Sequence, residues 1–111
     1  MAKQESLNID AGATYPLGFE CLNDDDTVFP LTGYTAQLQI RTTASASTAI
    51  VTVTGTIDTV SGIITTDIPA VKTALLTGTQ YVYAVEITAP GGEPVYRISE
   101  GNVYVSAEVV R

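Results

Sequence analysis

The sequence contains no histidine and no tryptophan, and its one cysteine is Cys21. Without histidine there is no imidazole to act as a general acid or base, and zinc sites built from cysteine and histidine are excluded. A single cysteine also excludes an internal disulfide, so we expect Cys21 to be a reduced, buried thiol. Basic residues are scarce, 5 against 12 Asp and Glu, and the net charge of −7 disfavours nucleic-acid binding.

Long hydrophobic runs are also absent. No window approaches the roughly 18 uninterrupted apolar residues of a membrane span, and residues 1–7 lack the apolar core of a signal peptide. We therefore expect no membrane partner and a chain that is made and folded in the cytoplasm of its host. A length of 111 residues predicts one domain.

The sequence is rich in β-branched residues, with 17 Thr, 12 Val and 9 Ile. These side chains lose χ1 freedom in a helix and pack well on a pleated sheet, so the composition favours strands. Alternation of apolar and polar residues predicts strands at 13–21, 34–41, 50–57, 63–67, 81–88, 94–99 and 102–110.

Several other segments complete this prediction. Residues 1–12, with Leu7 and Ile9 as their apolar positions, form an N-terminal arm or edge strand ahead of a domain at 13–111. A short helix is predicted near 69–76, with Val71, Leu75 and Leu76 on its packed side. Gly-Gly at 91–92 predicts a hairpin. The resulting fold class is an all-β, antiparallel β-sandwich or jelly-roll-like barrel of seven or eight strands.

Candidate catalytic groups do not form a recognisable set. Asp24, Asp25 and Asp26 could offer carboxylates to Ca²⁺, but the alternating ligands of a calcium loop do not follow, so we interpret them as a solvated turn. Serine, threonine and cysteine lack a histidine base. A glycosidase-like pair is conceivable because several glutamates lie on or near strands, but their spacing selects no pair. We therefore predict no enzyme, no cofactor and no metal site.

Partner contacts are the alternative to chemistry. Tyr96 and Tyr104 fall out of phase with their aliphatic neighbours, so we predict that they are exposed and available to a protein or to a carbohydrate. Leu7 and Ile9 are candidate contacts because the arm that carries them could pair with another chain. The polar loop at 42–48 is a second candidate arm.

The order of strands and turns resembles that of small structural proteins from tailed phages. The stretches that carry the resemblance are 10–17 (DAGATYPL), 30–36 (PLTGYTA), 37–41 (QLQIR), 78–83 (GTQYVY), 90–92 (PGG) and 100–105 (EGNVYV). Together they span nearly the whole chain. In size the chain is similar to the capsid decoration, or staple, proteins of epsilon-fifteen-type Salmonella phages.

This resemblance implies a function that needs no catalytic centre. It implies a virion protein on the capsid exterior that clamps neighbouring subunits of the major capsid protein, often as a homodimer. A second expectation is a tail or baseplate adaptor that joins the tail to its fibres. A third is a carbohydrate-binding module that uses Tyr96 or Tyr104.

Overall fold

The computed structural model describes residues 3–23, 25 and 27–107. The predicted all-β fold class is confirmed: within those ranges eight strands and one short helix form a β-sandwich. In chain order the elements are β1 (Lys3–Gln4), β2 (Leu7–Asp10), β3 (Tyr15–Glu20), β4 (Thr35–Arg41), β5 (Val51–Asp58), β6 (Ile63–Ile68), α1 (Ala70–Thr73), β7 (Gln80–Thr88) and β8 (Val95–Ser106).

The strands follow the order β1-β8-β7-β4-β5-β6-β3, and β2 also pairs with β8. One layer holds β1, β2, β8, β7 and β4, and the other holds β6 and β3. Strand β5 belongs to both, because Val51–Gly55 pair with β4 whereas Thr56–Asp58 pair with β6. At this corner Gly55 lies so close to the opposite residues that a Cβ atom would stand 2.9 Å from Ile64 Cγ2. Glycine at this corner lets the strand change layers without displacing the Ile64 side chain.

The core lies between the inward faces of the two layers. The predicted alternation is confirmed on β4, where Ala36, Leu38 and Ile40 are buried. It is confirmed as well on β7, whose buried residues are Tyr81, Tyr83, Val85 and Ile87. The apolar area buried between these two inward faces makes the main stabilising contribution to such a sandwich.

The N-terminal segment lies in the sheet. Strand β2 pairs with β8 in parallel register, Leu7 opposite Val103 and Ile9 opposite Val105. The sheet is therefore mixed, and the expectation of a purely antiparallel sandwich is wrong at β1 and β2. No feature of the sequence pattern predicts that the N-terminal segment pairs in parallel with the last strand.

Two strand predictions merge into one. Residues 94–99 and 102–110 were predicted as separate strands with a turn at Glu100 and Gly101, but β8 runs without a break from Val95 to Ser106. Residues 108–110 of the second prediction lie outside the described residues. Both turn candidates pair with β7, Glu100 with Ala84 and Gly101 with Tyr83. The Gly91-Gly92 hairpin is confirmed, since both glycines have positive φ, 90° and 96°.

The helix exists but is shorter than the predicted 69–76, since α1 covers only Ala70–Thr73. Leu76 is buried as predicted, whereas Val71, 76% exposed, and Leu75 are not on the packed side. Thr73 is buried in their place. The Thr73 hydroxyl accepts a hydrogen bond from the Gly12 backbone N–H at 3.0 Å and donates one to the Ala13 carbonyl at 2.8 Å. A polar side chain therefore docks the helix onto the β2–β3 turn. Among the described residues, no helix is long and apolar enough to cross a membrane.

Candidate interaction surfaces

The four predicted contact residues have two different environments. Leu7 and Ile9 are only 5% and 1% exposed, because pairing with β8 turns both side chains into the core. They therefore offer a partner no accessible surface in this structure, and their apolar character reflects packing. Tyr96 and Tyr104 are 36% and 42% exposed. They lie far apart along β8 and belong to different surfaces.

Tyr96 lies at the end of the sandwich where three connections meet. These are the loop 21–34 between β3 and β4, the β5–β6 turn at 59–62 and the β7–β8 hairpin at 89–94. Backbone hydrogen bonds hold the first loop in place: Cys21 N–H donates to Gly62 O at 2.8 Å, and Phe29 N–H donates to Cys21 O at 3.2 Å. The long loop is thus fixed to the neighbouring turn.

Three aromatic rings form a row across this end. Phe29 lies between Tyr34 and Tyr96, with ring centroids 5.8 Å and 5.7 Å away and near-perpendicular planes at 84° and 76°. Edge-to-face pairs of this kind add roughly 0.5–1.5 kcal/mol each beyond the area that they bury. The row gives Tyr96 a supported position while leaving part of its ring in solvent.

Exposed apolar side chains are concentrated around this row. Among the residues that the structure describes, eight large apolar side chains are exposed, and five of them lie at this end. Ile63 and Val95 face outward from opposite layers, because each directly precedes a strand residue that faces the core. We call the other three the loop-end patch: Val28, Val60 and Tyr96. Apolar and aromatic side chains exposed together are typical of a protein–protein contact surface. Of these three, the sequence predicted only Tyr96, because the loops that carry the other two meet it only through the fold.

A second concave surface lies on the outer face of the larger layer. It is a groove of ≈ 550 Å³ that runs across β1, β8, β7 and β4 and is bordered by the loop after β4. Arg41 anchors that loop, since its guanidinium donates to Ala46 O at 2.7 Å and to Gln39 Oε1 at 2.8 Å. We call this surface the sheet groove. Its side chains are mostly amides, carboxylates and guanidinium groups.

Individual polar groups elsewhere have structural partners. The Asp25 carboxylate accepts hydrogen bonds from the Thr27 hydroxyl and backbone N–H, which lower its pKa. Burial raises the pKa of the Cys21 thiol and of the Tyr83 phenol, whose hydroxyl lies 2.9 Å from that of Ser99. In the described part of the chain, no group of three or more Cys, Asp or Glu could hold a metal ion. Asp24 and Asp26 of the predicted acidic turn lie outside the described residues.

Comparison with known proteins identifies the family to which this sandwich belongs. The family model for the LtfC-like, beta-sandwich domain matches residues 1–106. None of the curated proteins matches the sequence. The match includes β1 to β8, so the whole sandwich with both of its surfaces falls inside it. The family is phage-associated, which indicates a phage-related structural or adhesion-type protein. The chain belongs to the family of LtfC-like β-sandwich domains.

Proposed function

We propose that this chain is a non-enzymatic structural protein of a phage virion, and specifically a capsid decoration protein. In this proposal it binds the exterior of the shell and clamps neighbouring subunits of the major capsid protein. The observation that carries the proposal is the loop-end patch, where Val28, Val60 and Tyr96 expose apolar area at one end of a domain from a phage-associated family. A second protein that covers such a surface removes its apolar area from water, which favours binding.

The patch has the features of a contact centre. Tyr96 is a large, partly exposed ring that Phe29 holds in place, so little side-chain freedom is lost when a partner covers it. Aromatic residues at the centre of an interface contribute most of its binding energy. Around a shell the same modest contact is repeated in every copy, and many copies together stabilise the assembly.

Charge and symmetry complete the proposal. The net charge of −7 limits adhesion to packaged or released DNA. We further propose that the chain acts as a homodimer, so that one clamp presents two patches to two capsid subunits. Sedimentation of the purified chain tests that part by itself.

A tail or baseplate adaptor is the second candidate, because the same patch could bind a tail protein and the family match fits a structural or adhesion-type phage protein equally well. Imaging of virions separates the two. Decoration predicts copies distributed over the shell, and an adaptor predicts a few copies at the vertex that carries the tail.

The functional test is removal of the protein from the particle. Particles that lack the chain should keep their tails and lose resistance to heat, and added wild-type protein should restore it. The Tyr96→Ser variant should fail to restore it, whereas Tyr104→Ser, an equally exposed tyrosine outside the patch, should succeed. Particles that stay fully heat resistant without the chain would contradict the capsid proposal.

A further inference from the structure

At its centre, the sheet groove combines side chains from three neighbouring strands, β4, β7 and β8, around a small floor residue. Ala84 lies at its centre, paired with Gln39 on β4 and with Glu100 on β8. Gln37 and Asn102 lie one row further on each side. Because strands are about 4.8 Å apart and alternate residues about 6.6 Å apart, the methyl of Ala84 leaves a depression surrounded by hydrogen-bonding groups.

A β-bulge places the charged groups of the groove. The register of β8 against β7 shifts at Ile98, so Ile98 and Ser99 are both buried although they are consecutive. In a regular strand, Arg97 and Glu100 would face opposite sides because they are three residues apart. The shift brings both to the outer face, where Arg97 Nη1 lies 3.3 Å from Glu100 Oε2 and Arg97 Nη2 lies 3.4 Å from Glu86 Oε2. Bulges commonly re-aim side chains beside binding sites.

The groove is electrically balanced although the protein is not. Its charged residues are two arginines, Arg41 and Arg97, and two glutamates, Glu86 and Glu100, so their formal charges sum to zero. The chain as a whole carries −7. Balance of this kind gives no preference for an anion or a cation, whereas amides, carboxylates and guanidinium groups side by side supply both donors and acceptors.

We propose that the sheet groove binds a neutral oligosaccharide. Sugar hydroxyls act as both donors and acceptors, which matches the alternating groups of the groove. Tyr104 lies beyond Asn102 on the same face, with its hydroxyl 3.4 Å from the Asn102 side-chain nitrogen, and its exposed ring can pack against the C–H face of a sugar. This site is separate from the loop-end patch, so it holds wherever the protein sits in the virion.

The test uses the full chain, first on an array of neutral and sulfated bacterial oligosaccharides and then by NMR titration with the strongest neutral ligand. We expect amide shifts centred on Ala84 and Glu100. The Ala84→Phe variant fills the depression and should weaken binding at least tenfold, about 1.4 kcal/mol. The matched control is Thr35→Phe, an exposed residue on β4 outside the groove, which should bind as wild type does.

Each result decides the proposal. Unchanged thermal unfolding of both variants shows that folding is intact. Absence of binding to every neutral oligosaccharide at about 10 mM, where a millimolar affinity would be detected, overturns it. Preference for sulfated ligands overturns the charge argument, and neutral binding that Ala84→Phe leaves intact overturns the location.

Discussion

The loop-end patch and the sheet groove are built in opposite ways on the same sandwich. The patch consists of apolar side chains from two loops and the first turn of β8, with Tyr96 supported by the ring of Phe29. The groove consists of polar side chains held by strands, with Arg97 placed between two carboxylates by a bulge. The first is suited to a protein surface that excludes water, and the second to a hydrated polar ligand. One small fold therefore presents two surfaces of opposite chemical character.

The largest expected effect concerns the scaffold that the two surfaces share. Replacing Ile9 by alanine removes a buried side chain that joins β2 to the core, and should destabilise the fold by about 2–5 kcal/mol. Chemical denaturation measures the free energy of unfolding. Val71→Ala is the control, since that exposed side chain should change stability by less than about 0.5 kcal/mol. A cost below about 1 kcal/mol for Ile9→Ala would mean that the N-terminal segment is an arm after all.

A smaller effect is expected where the N-terminal segment closes the groove. A Cβ atom at Gly101 would collide with the backbone carbonyl of Glu5, whose N–H donates to Glu100 O at 3.0 Å. Gly101→Ala should therefore cost roughly 1–3 kcal/mol, because the backbone itself must move. Hydrogen exchange should show faster exchange at Glu5 than in the wild type. The control is Gly18→Ala, where a Cβ would meet no atom within 4 Å and φ is not positive. Equal protection of Glu5 in both variants would contradict this packing.

A still smaller loss of stability is expected at the loop that borders the groove. Arg41→Ala removes the two hydrogen bonds that hold the loop at Ala46 and the amide of Gln39, at an expected cost of roughly 0.5–1.5 kcal/mol. Proteolysis of the loop 42–50 should accelerate, while the loop 21–34 at the opposite end should be cleaved at an unchanged rate. Acceleration at both loops would mean that the two surfaces are not independent.

The smallest expected effect is a pH-dependent contribution to folding stability at the loop end of the sandwich. The Asp58 carboxylate accepts hydrogen bonds from the Val60 and Ser61 backbone N–H groups, which lower its pKa. Its stabilising contribution is present above the unfolded pKa of about 3.9 and is lost as the pH falls through the lower folded value. Asp58→Asn should be slightly less stable than the wild type at pH 7, with the difference disappearing in acid. A difference that persists at pH 2 would exclude this carboxylate as its cause.

The sequence predicted the regular parts of the fold well. Alternation on β4 and β7 identified Leu38 and Val85 as inward residues, because each strand has one face in the core and one in solvent. It failed where side-chain phase depends on distant contacts. The bulge at Ile98 shifts the phase within β8, and the helix packs through Thr73 because the β2–β3 turn offers it hydrogen bonds.

The candidate surfaces were less predictable than the fold. Tyr96 and Tyr104 were identified by their phase, and both are exposed. The sequence did not distinguish Leu7 and Ile9 from core residues. An apolar edge strand has the same sequence pattern whether it pairs within the chain or with a partner. The groove left no sequence signal, because its residues come from four strands whose order the pattern does not reveal.

The most direct test of the central claim is co-sedimentation of the purified chain with virions that lack it. The account predicts that the wild type and Tyr104→Ser bind the particles to saturation, and that Tyr96→Ser binds at least thirtyfold more weakly, a loss of about 2 kcal/mol at one interface centre. Equal binding by all three proteins would contradict the claim that the loop-end patch is the surface through which this domain joins the virion.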